Sequence, residues 1–306
     1  MSWSFIVVPM TVQLSIATRF SRLLSTIQPT ANDLSVYQRH EKTVRRKLET
    51  VFRTNRVIRI GSYSRGTSIR AVSDKDLMLL LSRDEVRWGD QIKSSSTVLN
   101  SVRLKLSDRY FQTEVRRDGQ AVVLRFGNNQ YPVDIVPAAY HRHDTGLNSP
   151  IYVIPDGLGG WLETSPLAHN KFISDANKRS RGKLKRTAQL IKFWRSCRQP
   201  FLPLNSFHVE LLVAQEDICA GPLSYGVCLN NALVALANRN CQAIADPIGL
   251  SGMIDAANTE PMRERVCSSV LASAQRSYNA TEAERGGNIN EAIRLWEIVF
   301  NNRFIN

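Results

Sequence analysis

Hydrophobic and polar positions recur with two different periods along the chain, and these periods predict where helices and strands lie. In residues 12–53 apolar positions recur at helical spacing, and Pro29 is expected to interrupt the helix because proline cannot continue its hydrogen bonds. Alternating or continuous apolar runs predict strands at 56–60, 75–81, 112–117, 121–126 and 131–138. Helical spacing also predicts helices at about 62–70 and 88–109 and through most of the chain after residue 166.

The order of these elements predicts an α+β fold. We expect a mixed sheet with helices in residues 1–160 and a helical lobe in residues 161–306, packed closely enough to count as one domain. The helices of the second lobe are predicted at 181–197, 204–219, 228–239, 261–279 and 289–301. A cleft between two such lobes is a common location for a substrate site.

Composition narrows the classes of partner and compartment. The 306 residues carry 40 Lys and Arg against 27 Asp and Glu, a formal net charge of +13. This excess favours anionic partners such as nucleic acid, nucleotides or an acidic membrane surface, although a basic surface can also serve solubility alone. No run approaches the roughly 18 apolar residues of a membrane-spanning helix. The 5 cysteines lack C-x-x-C spacing, which favours reduced thiols in a cytoplasmic protein and predicts no zinc site.

Two aspartates stand out at the start of an apolar strand. Asp74 and Asp76 in "SDKDLMLLL" are two residues apart, so in a strand their carboxylates project from the same face. Two carboxylates held together repel unless a cation neutralises them, and Mg²⁺ prefers such hard oxygen ligands. Asp134 in "YPVDIVPA" is a third isolated charge in an apolar strand, which is costly unless it is paired. A solvated strand end remains the alternative interpretation of the aspartate pair.

A glycine and a serine follow the preceding predicted strand. Gly61 permits close approach of the backbone to a ligand, and Ser62 with the following backbone can hold a triphosphate. Combined with three converging carboxylates, this turn indicates phosphoryl or nucleotidyl transfer assisted by two metal ions.

The motifs closely resemble those of the cGAS/DncV-like nucleotidyltransferases (CD-NTases), a bacterial branch of the polymerase-β-like superfamily. The resemblance spans roughly residues 57–215 and rests on "GSYSRGTSI", "SDKDLMLLL", the strand acid at 134, "LIKFWRS" and "NSFHVELL". It implies a nucleotidyltransferase lobe joined to a helical lobe, with the active site between them. It also implies two Mg²⁺ ions, replaceable by Mn²⁺, on Asp74, Asp76 and Asp134, with Asp134 helping to deprotonate the attacking ribose hydroxyl.

The resemblance further implies the nucleotide contacts. Gly61 and Ser62 would contact the donor triphosphate, Lys192 would grip its phosphates, Ser206 would join Lys192, and Phe207 would stack on a base. Each of the last three also has a structural interpretation. Lys192 can be a solvated helix lysine, Ser206 a helix cap and Phe207 a core residue.

The activity that the resemblance implies is condensation of nucleoside triphosphates, at least one of them a purine, into a cyclic di- or trinucleotide with release of pyrophosphate. The product would be a second messenger that activates an effector in anti-phage (CBASS) defence. We expect a cytoplasmic monomer with no membrane partner. Because "HRH" at 141–143 lacks neighbouring cysteines, we also expect no zinc site and no obligatory DNA activation. The alternatives are transfer to an acceptor such as a linear oligoadenylate or tRNA, or an inactive nucleic-acid-binding module.

Overall fold

A mixed β-sheet forms the centre of the first lobe. The computed structural model describes residues 14–70, 75–126 and 131–304. Its strands are β1 (Thr54–Arg59), β2 (Lys75–Leu81), β3 (Arg87–Trp88), β4 (Gln91–Ile92), β5 (Glu114–Asp118), β6 (Ala121–Phe126), β7 (Tyr131–Asp144), β8 (Ser149–Pro155), β9 (Trp161–Thr164), β10 (Ile244–Ala245) and β11 (Met253–Ile254). The main sheet has the order β1-β2-β7-β6-β5, and β8 and β9 extend it from the far end of β7. In it β2 and β7 run parallel, whereas β1 and β6 are antiparallel to their neighbours.

Helices cover the sheet and build the second lobe. They are α1 (Ile16–Ile27), α2 (Ala31–Val51), α3 (Gly61–Arg65), α4 (Arg83–Val86), α5 (Ser95–Arg109), α6 (Pro166–Arg179), α7 (Lys183–Ser196), α8 (Ser206–Gln215), α9 (Tyr225–Asn238), α10 (Glu260–Arg285) and α11 (Ile289–Val299). The predicted break at Pro29 separates α1 from α2, where Thr30 and Asp33 form a capping box. The helix predicted from residue 88 was wrong at its start. Ser94 caps α5, and the preceding residues form α4 and the β3–β4 hairpin.

The two faces of the main sheet have different neighbours. On one face, alternate residues of β2 and β7 such as Leu77, Leu79 and Ile135 pack in a core with α2 and α5. On the other face, Met78 and Ala138 belong to a smaller cluster. Because strand side chains alternate between the two faces, every second residue of β2 and β7 points to this second face, away from α2 and α5.

The helical lobe has its own core, and α1 lies in it. Phe20 of α1 contacts Trp296, Phe300 and Phe304, with a ring-centroid distance of 5.0 Å to Trp296. α1 therefore packs with the second lobe although it precedes the sheet in sequence. The division of the chain at residue 160 stays a prediction.

The observed architecture confirms the predicted α+β class, with a mixed sheet and a helical C-terminal region. Across the described ranges, no helix combines the length and the apolar character that crossing a membrane requires.

Candidate active site

Asp76 and Asp134 are neighbours on adjacent parallel strands. They are register partners between β2 and β7, whose backbones lie about 4.8 Å apart in a sheet. Because Leu77 and Ile135 face the core with α2 and α5, strand alternation turns both aspartates to the opposite face. Asp74 lies outside the described residues, so its place beside them stays a prediction.

The turn between β1 and α3 fits closely against Asp76. Gly61 has φ +68°, and a Cβ built on it would stand 1.8 Å from Oδ2 of Asp76. The N–H of Ile60 donates to the Asp76 carbonyl at 2.9 Å, which fixes the turn to β2. Both the backbone angle and the missing space therefore require glycine at position 61. Ser62 follows in α3, and its carbonyl accepts the Thr67 N–H at 3.0 Å.

A cleft of about 650 Å³ lies between the sheet and the helical lobe. Its walls contain seven of the predicted site residues, namely Gly61, Ser62, Asp76, Asp134, Lys192, Ser206 and Phe207. The sequence separates these residues by as much as 146 positions, from Gly61 to Phe207, and the structure places them around one space. Their roles in binding and catalysis remain predictions.

Lys192 lies buried in α7. The alternative interpretation of Lys192 as a solvated helix lysine was therefore wrong. Its side chain is 3% exposed, and its Nζ donates to Oε1 of Glu210 at 2.6 Å and to the carbonyl and hydroxyl oxygens of Thr67 at 3.0 and 3.1 Å. An ammonium group has three N–H donors, and all three are used here. A contact with a phosphate would replace one of these bonds, so phosphate binding by Lys192 stays a prediction.

Glu210 of α8 is the acceptor at the centre of this network. It is completely buried and also accepts hydrogen bonds from Arg65 and from the Thr67 hydroxyl. Burial alone raises the pKa of Glu210, but the charges of Arg65 and Lys192 and the hydrogen bonds outweigh it and lower the pKa to about 2. The ionised Glu210 thus ties α3, which begins at the Gly61 turn, to α7 and α8 of the helical lobe.

The start of α8 presents the other two predicted nucleotide contacts. Asn205 caps the helix, since its side chain accepts the Phe207 N–H at 2.9 Å, so Ser206 is the first helical residue and not the cap. Phe207 is partly buried, and the Arg65 guanidinium lies 4.9 Å from its ring centroid. The His169 ring approaches the same ring at 5.1 Å, nearly perpendicular to it.

Several residues of the cleft were missed by the sequence interpretation. Arg65 and Glu210 lie inside the quoted motifs "GSYSRGTSI" and "NSFHVELL", and a single acid in the apolar run of α8 was the available signal for Glu210. Asp118 and His169 also line the cleft. No sequence signal pointed to them, because the β5–β6 hairpin and α6 reach the cleft only through the tertiary fold.

The carboxylate pair is the donor set available for a metal ion. In the portion of the chain that is described, no group of three or more His, Cys, Asp or Glu side chains is arranged to hold a metal. Asp76 and Asp134 supply two carboxylates, and the predicted third ligand, Asp74, falls in the segment 71–74 that is not described.

Comparison with known sequences decides the family. The sequence profile of the Second Messenger Oligonucleotide or Dinucleotide Synthetase domain, SMODS, matches residues 14–177, more than half of the chain. The chain belongs to the SMODS family. This match confirms the resemblance to the cGAS/DncV-like nucleotidyltransferases that the motifs indicated.

Individual relatives of this SMODS protein share part of their length with it. A probable cyclic nucleotide synthase of Bacillus cereus is 28% identical over 182 residues, covering 51% of this chain and 54% of the relative. A cyclic AMP-AMP-AMP synthase of Acinetobacter is 28% identical over 215 residues, covering 65% of this chain and 57% of the relative. The chain thus spans little more than half the length of these two relatives.

Solved structures share the fold across nearly the whole chain. CdnC of E. coli MS115-1, solved with ATP, has a TM-score of 0.73 at 18% identity and covers 96% of this chain and 99% of its own. The CD-NTase CdnG of Bradyrhizobium diazoefficiens, solved with GTP, has a TM-score of 0.70 at 11% identity, with 94% of each chain covered. These similarities confirm the predicted fold of a nucleotidyltransferase lobe with a helical lobe.

Proposed function

We propose that this SMODS protein is a metal-dependent nucleotidyltransferase that condenses nucleoside triphosphates into a cyclic oligonucleotide. The observation that carries the proposal is the register pair Asp76–Asp134 at the cleft, in contact with the glycine turn at Gly61. A pair of carboxylates offers the hard oxygen ligands that Mg²⁺ takes when it binds a triphosphate, and Gly61 lets the backbone turn closely past Asp76. The family match and the names of the relatives support the same reaction.

The carboxylates fit Mg²⁺ by their chemistry. Asp76 and Asp134 offer hard oxygen donors from adjacent strands, and we propose that Asp74 completes a site for two Mg²⁺ ions, which Mn²⁺ can replace. When bound, the ions would neutralise the carboxylates and the charge of the phosphates.

The chain's own residues would bind and orient the reactants. Gly61 and Ser62 would contact the donor triphosphate, with Lys192 and Ser206 beside its phosphates and Phe207 beside a base. A ribose hydroxyl of one nucleotide attacks the α-phosphorus of another, the bond from that phosphorus to the β-phosphate oxygen breaks, and pyrophosphate leaves. Asp134 would accept the hydroxyl proton, as a general base within the cleft. A further attack of the same kind closes the ring.

The finer features of this proposal rest on the family and its relatives. Relatives named cyclic AMP-AMP-AMP synthases and structures solved with ATP or GTP support purine triphosphates as substrates. We propose that the product is a cyclic di- or trinucleotide messenger in anti-phage defence and acts on a separate effector. We further propose that the protein acts as a cytoplasmic monomer without obligatory DNA activation.

Product analysis tests the proposal. Purified protein is incubated with labelled ATP, GTP, CTP and UTP and Mg²⁺, treated with phosphatase and analysed by mass spectrometry. We expect a phosphatase-resistant cyclic product, and Asp134→Asn is expected to reduce its rate of formation about 10²–10⁴-fold by removing the base. Asp144→Asn is the matched control, because Asp144 lies at the far end of the same strand and outside the cleft.

The outcomes separate the alternatives. Incorporation only into an added RNA or other acceptor, with no cyclic product, would select acceptor transfer. Salt-dependent nucleic-acid binding without any Mg²⁺-dependent turnover would indicate an inactive binding module. Equal rates for Asp134→Asn and Asp144→Asn would show that the carboxylate pair does not take part in the reaction.

A further inference from the structure

The ring of Phe207 in the cleft wall is contacted by two basic side chains, and each of them is bonded to a buried carboxylate. Arg65 lies 4.9 Å from the Phe207 centroid and donates to the buried Glu210. His169 of α6 lies 5.1 Å from the same centroid and is bonded to Asp246. The second of these pairs lies outside the sequence motifs, and Asp246 also lies outside residues 14–177, which the family profile matches.

Polar contacts on both ring nitrogens hold the ring of His169. Nδ1 lies 3.0 Å from the Ser165 carbonyl oxygen, and Nε2 lies 3.0 Å from Oδ1 of Asp246. The residue is 2% exposed at the edge of the cleft, so the packing around it also restricts the ring.

Asp246 is itself held rigidly. Its carboxylate accepts the N–H groups of Ile248, Leu250 and Ser251 at 3.2, 3.1 and 2.8 Å. Burial raises the pKa of Asp246, but the hydrogen bond from His169 and the backbone N–H groups outweigh it and lower the pKa to about 2. An ionised carboxylate fixed by its own loop therefore leaves His169 a single orientation.

We propose that His169, anchored by Asp246, is a positioning residue that holds the Phe207 ring in the orientation in which a nucleobase stacks on it. The proposal rests on the proposed function, because it assigns Phe207 to the nucleobase. Contact with a histidine ring that is itself held by hydrogen bonds restricts the Phe207 side chain before the ligand binds. This reduces the entropy lost when a base stacks on the ring.

The test compares binding of a whole nucleotide with binding of its phosphates alone. Titration calorimetry with ATP, with GTP and with tripolyphosphate, each with Mg²⁺, is carried out on the protein and on His169→Gln. The glutamine amide can still donate to Asp246, but it lacks the ring that contacts Phe207. We expect the Kd of the nucleotides to rise about 5- to 20-fold, which is less than the loss expected when a stacked base loses its aromatic partner altogether. The Kd of tripolyphosphate should change less than about 2-fold.

A double-mutant cycle shows whether His169 acts through Phe207. Phe207→Leu is expected to weaken nucleotide binding selectively, and the double variant His169→Gln/Phe207→Leu is expected to bind no more weakly than Phe207→Leu. His143→Gln, on the exposed part of β7, is the matched control and should bind like the unaltered protein. Urea unfolding of each variant shows that it is folded at the temperature of the titration.

Long-range ¹H–¹⁵N spectra supply a readout that is independent of ligand. The chain has 5 histidines, and the signals that His169→Gln removes should shift in Phe207→Leu, because the Phe207 ring lies against the His169 ring. Additive losses in the cycle, an equal loss for tripolyphosphate, or His169 signals that do not shift in Phe207→Leu would each overturn the proposal. Failure of the unaltered protein to bind any nucleotide would instead contradict the proposed function and, with it, this inference.

Discussion

At the scale of single residues, close contacts restrict the residues that line the site. There is no space for a side chain at position 61, because Asp76 lies against Gly61. All three N–H donors of the Lys192 ammonium group are used in hydrogen bonds to Glu210 and Thr67. Substitutions at these two positions should differ in kind. The first affects the carboxylate that we assign to the metal, and the second affects a buried charge pair.

Replacing Gly61 by alanine should eliminate product formation. The new Cβ would overlap Oδ2 of Asp76 and would also sit at a φ of +68°, which costs about 1–2 kcal/mol for a residue with a side chain. Gly89→Ala is the matched control, because Gly89 has φ +57° with nothing within 4 Å of its Cβ position. Both variants carry the backbone cost of a positive φ, and Gly61→Ala should lose more stability in urea unfolding because of the overlap with Asp76. Only Gly61→Ala should lose activity, and equal activities would contradict the close-contact argument.

Replacing Lys192 by methionine should act mainly on stability. Removing the ammonium group leaves the buried Glu210 with Arg65 as its remaining charged hydrogen-bond partner, so the free energy of unfolding should fall, by at most about 3–5 kcal/mol in urea titrations. Lys171→Met is the matched control, because Lys171 pairs with Asp175 on the exposed surface of α6 and should change the unfolding midpoint much less. If Lys192→Met instead left stability unchanged and raised the KM for nucleotides, the lysine would be primarily a phosphate ligand.

At the scale of elements, two buried carboxylates hold helices together beside the cleft. Glu210 joins α8 to Lys192 of α7 and, across the lobes, to Arg65 of α3, and Asp246 joins its loop to His169 of α6 within the helical lobe. Both carboxylates are ionised and buried, so these contacts depend on pH as well as on packing.

Acid should weaken the link at Glu210. Its pKa is about 2 in the folded protein against 4.5 for the free side chain, so its contribution is complete above about pH 4.5 and is lost as the pH falls towards 2. The full contribution is about 3 kcal/mol, and Arg65, Lys192 and the nearby Lys185 are the charged groups facing it.

Urea unfolding between pH 6 and pH 3 measures this effect. The unaltered protein should lose stability more steeply than Glu210→Gln, which has no carboxylate to protonate. Glu49→Gln, on the exposed face of α2, should follow the unaltered protein. Parallel pH profiles for the unaltered protein and Glu210→Gln would exclude Glu210 as a source of the acid sensitivity.

At the scale of the whole molecule, the first helix crosses to the second lobe. Phe20 contacts Trp296, and its ring lies 3.2 Å from the Cβ position of Gly226 in α9. The start of the described chain and its last helices therefore share one core.

Replacing Phe20 by alanine should destabilise the helical lobe by about 3–5 kcal/mol, because a buried phenyl group leaves a cavity. Phe111→Ala is the matched control, since Phe111 is 83% exposed. The buried thiols of Cys219, Cys228 and Cys241 should react faster with a thiol reagent in Phe20→Ala than in the control. Equal reaction rates and equal unfolding midpoints would mean that α1 is dispensable for this core.

The elements and several site residues could be predicted because their signals are local. The apolar run of β2, the break at Pro29 and the helical spacing of α7 to α11 each act over a few residues, and the structure confirms them. The start of α5 was predicted too early, at residue 88. The mixed polar and apolar residues 88–94 fit the pattern of a helix, and the cap at Ser94 was not recognised. The position of α1 could not be predicted, since an apolar helix face indicates burial but not the element against which the helix packs.

The sequence by itself determined the fold class, the family motifs and the candidate pair Asp76 and Asp134, because strand alternation and residue chemistry need only neighbouring positions. Only the tertiary structure decided that these two carboxylates are register partners and that Gly61 must lack a side chain beside them. It alone showed that Lys192 is hydrogen-bonded to Glu210 and that His169, bonded to Asp246, contacts the Phe207 ring. Those contacts join residues far apart in the chain, and the distances between such residues are set by the packing of the two lobes.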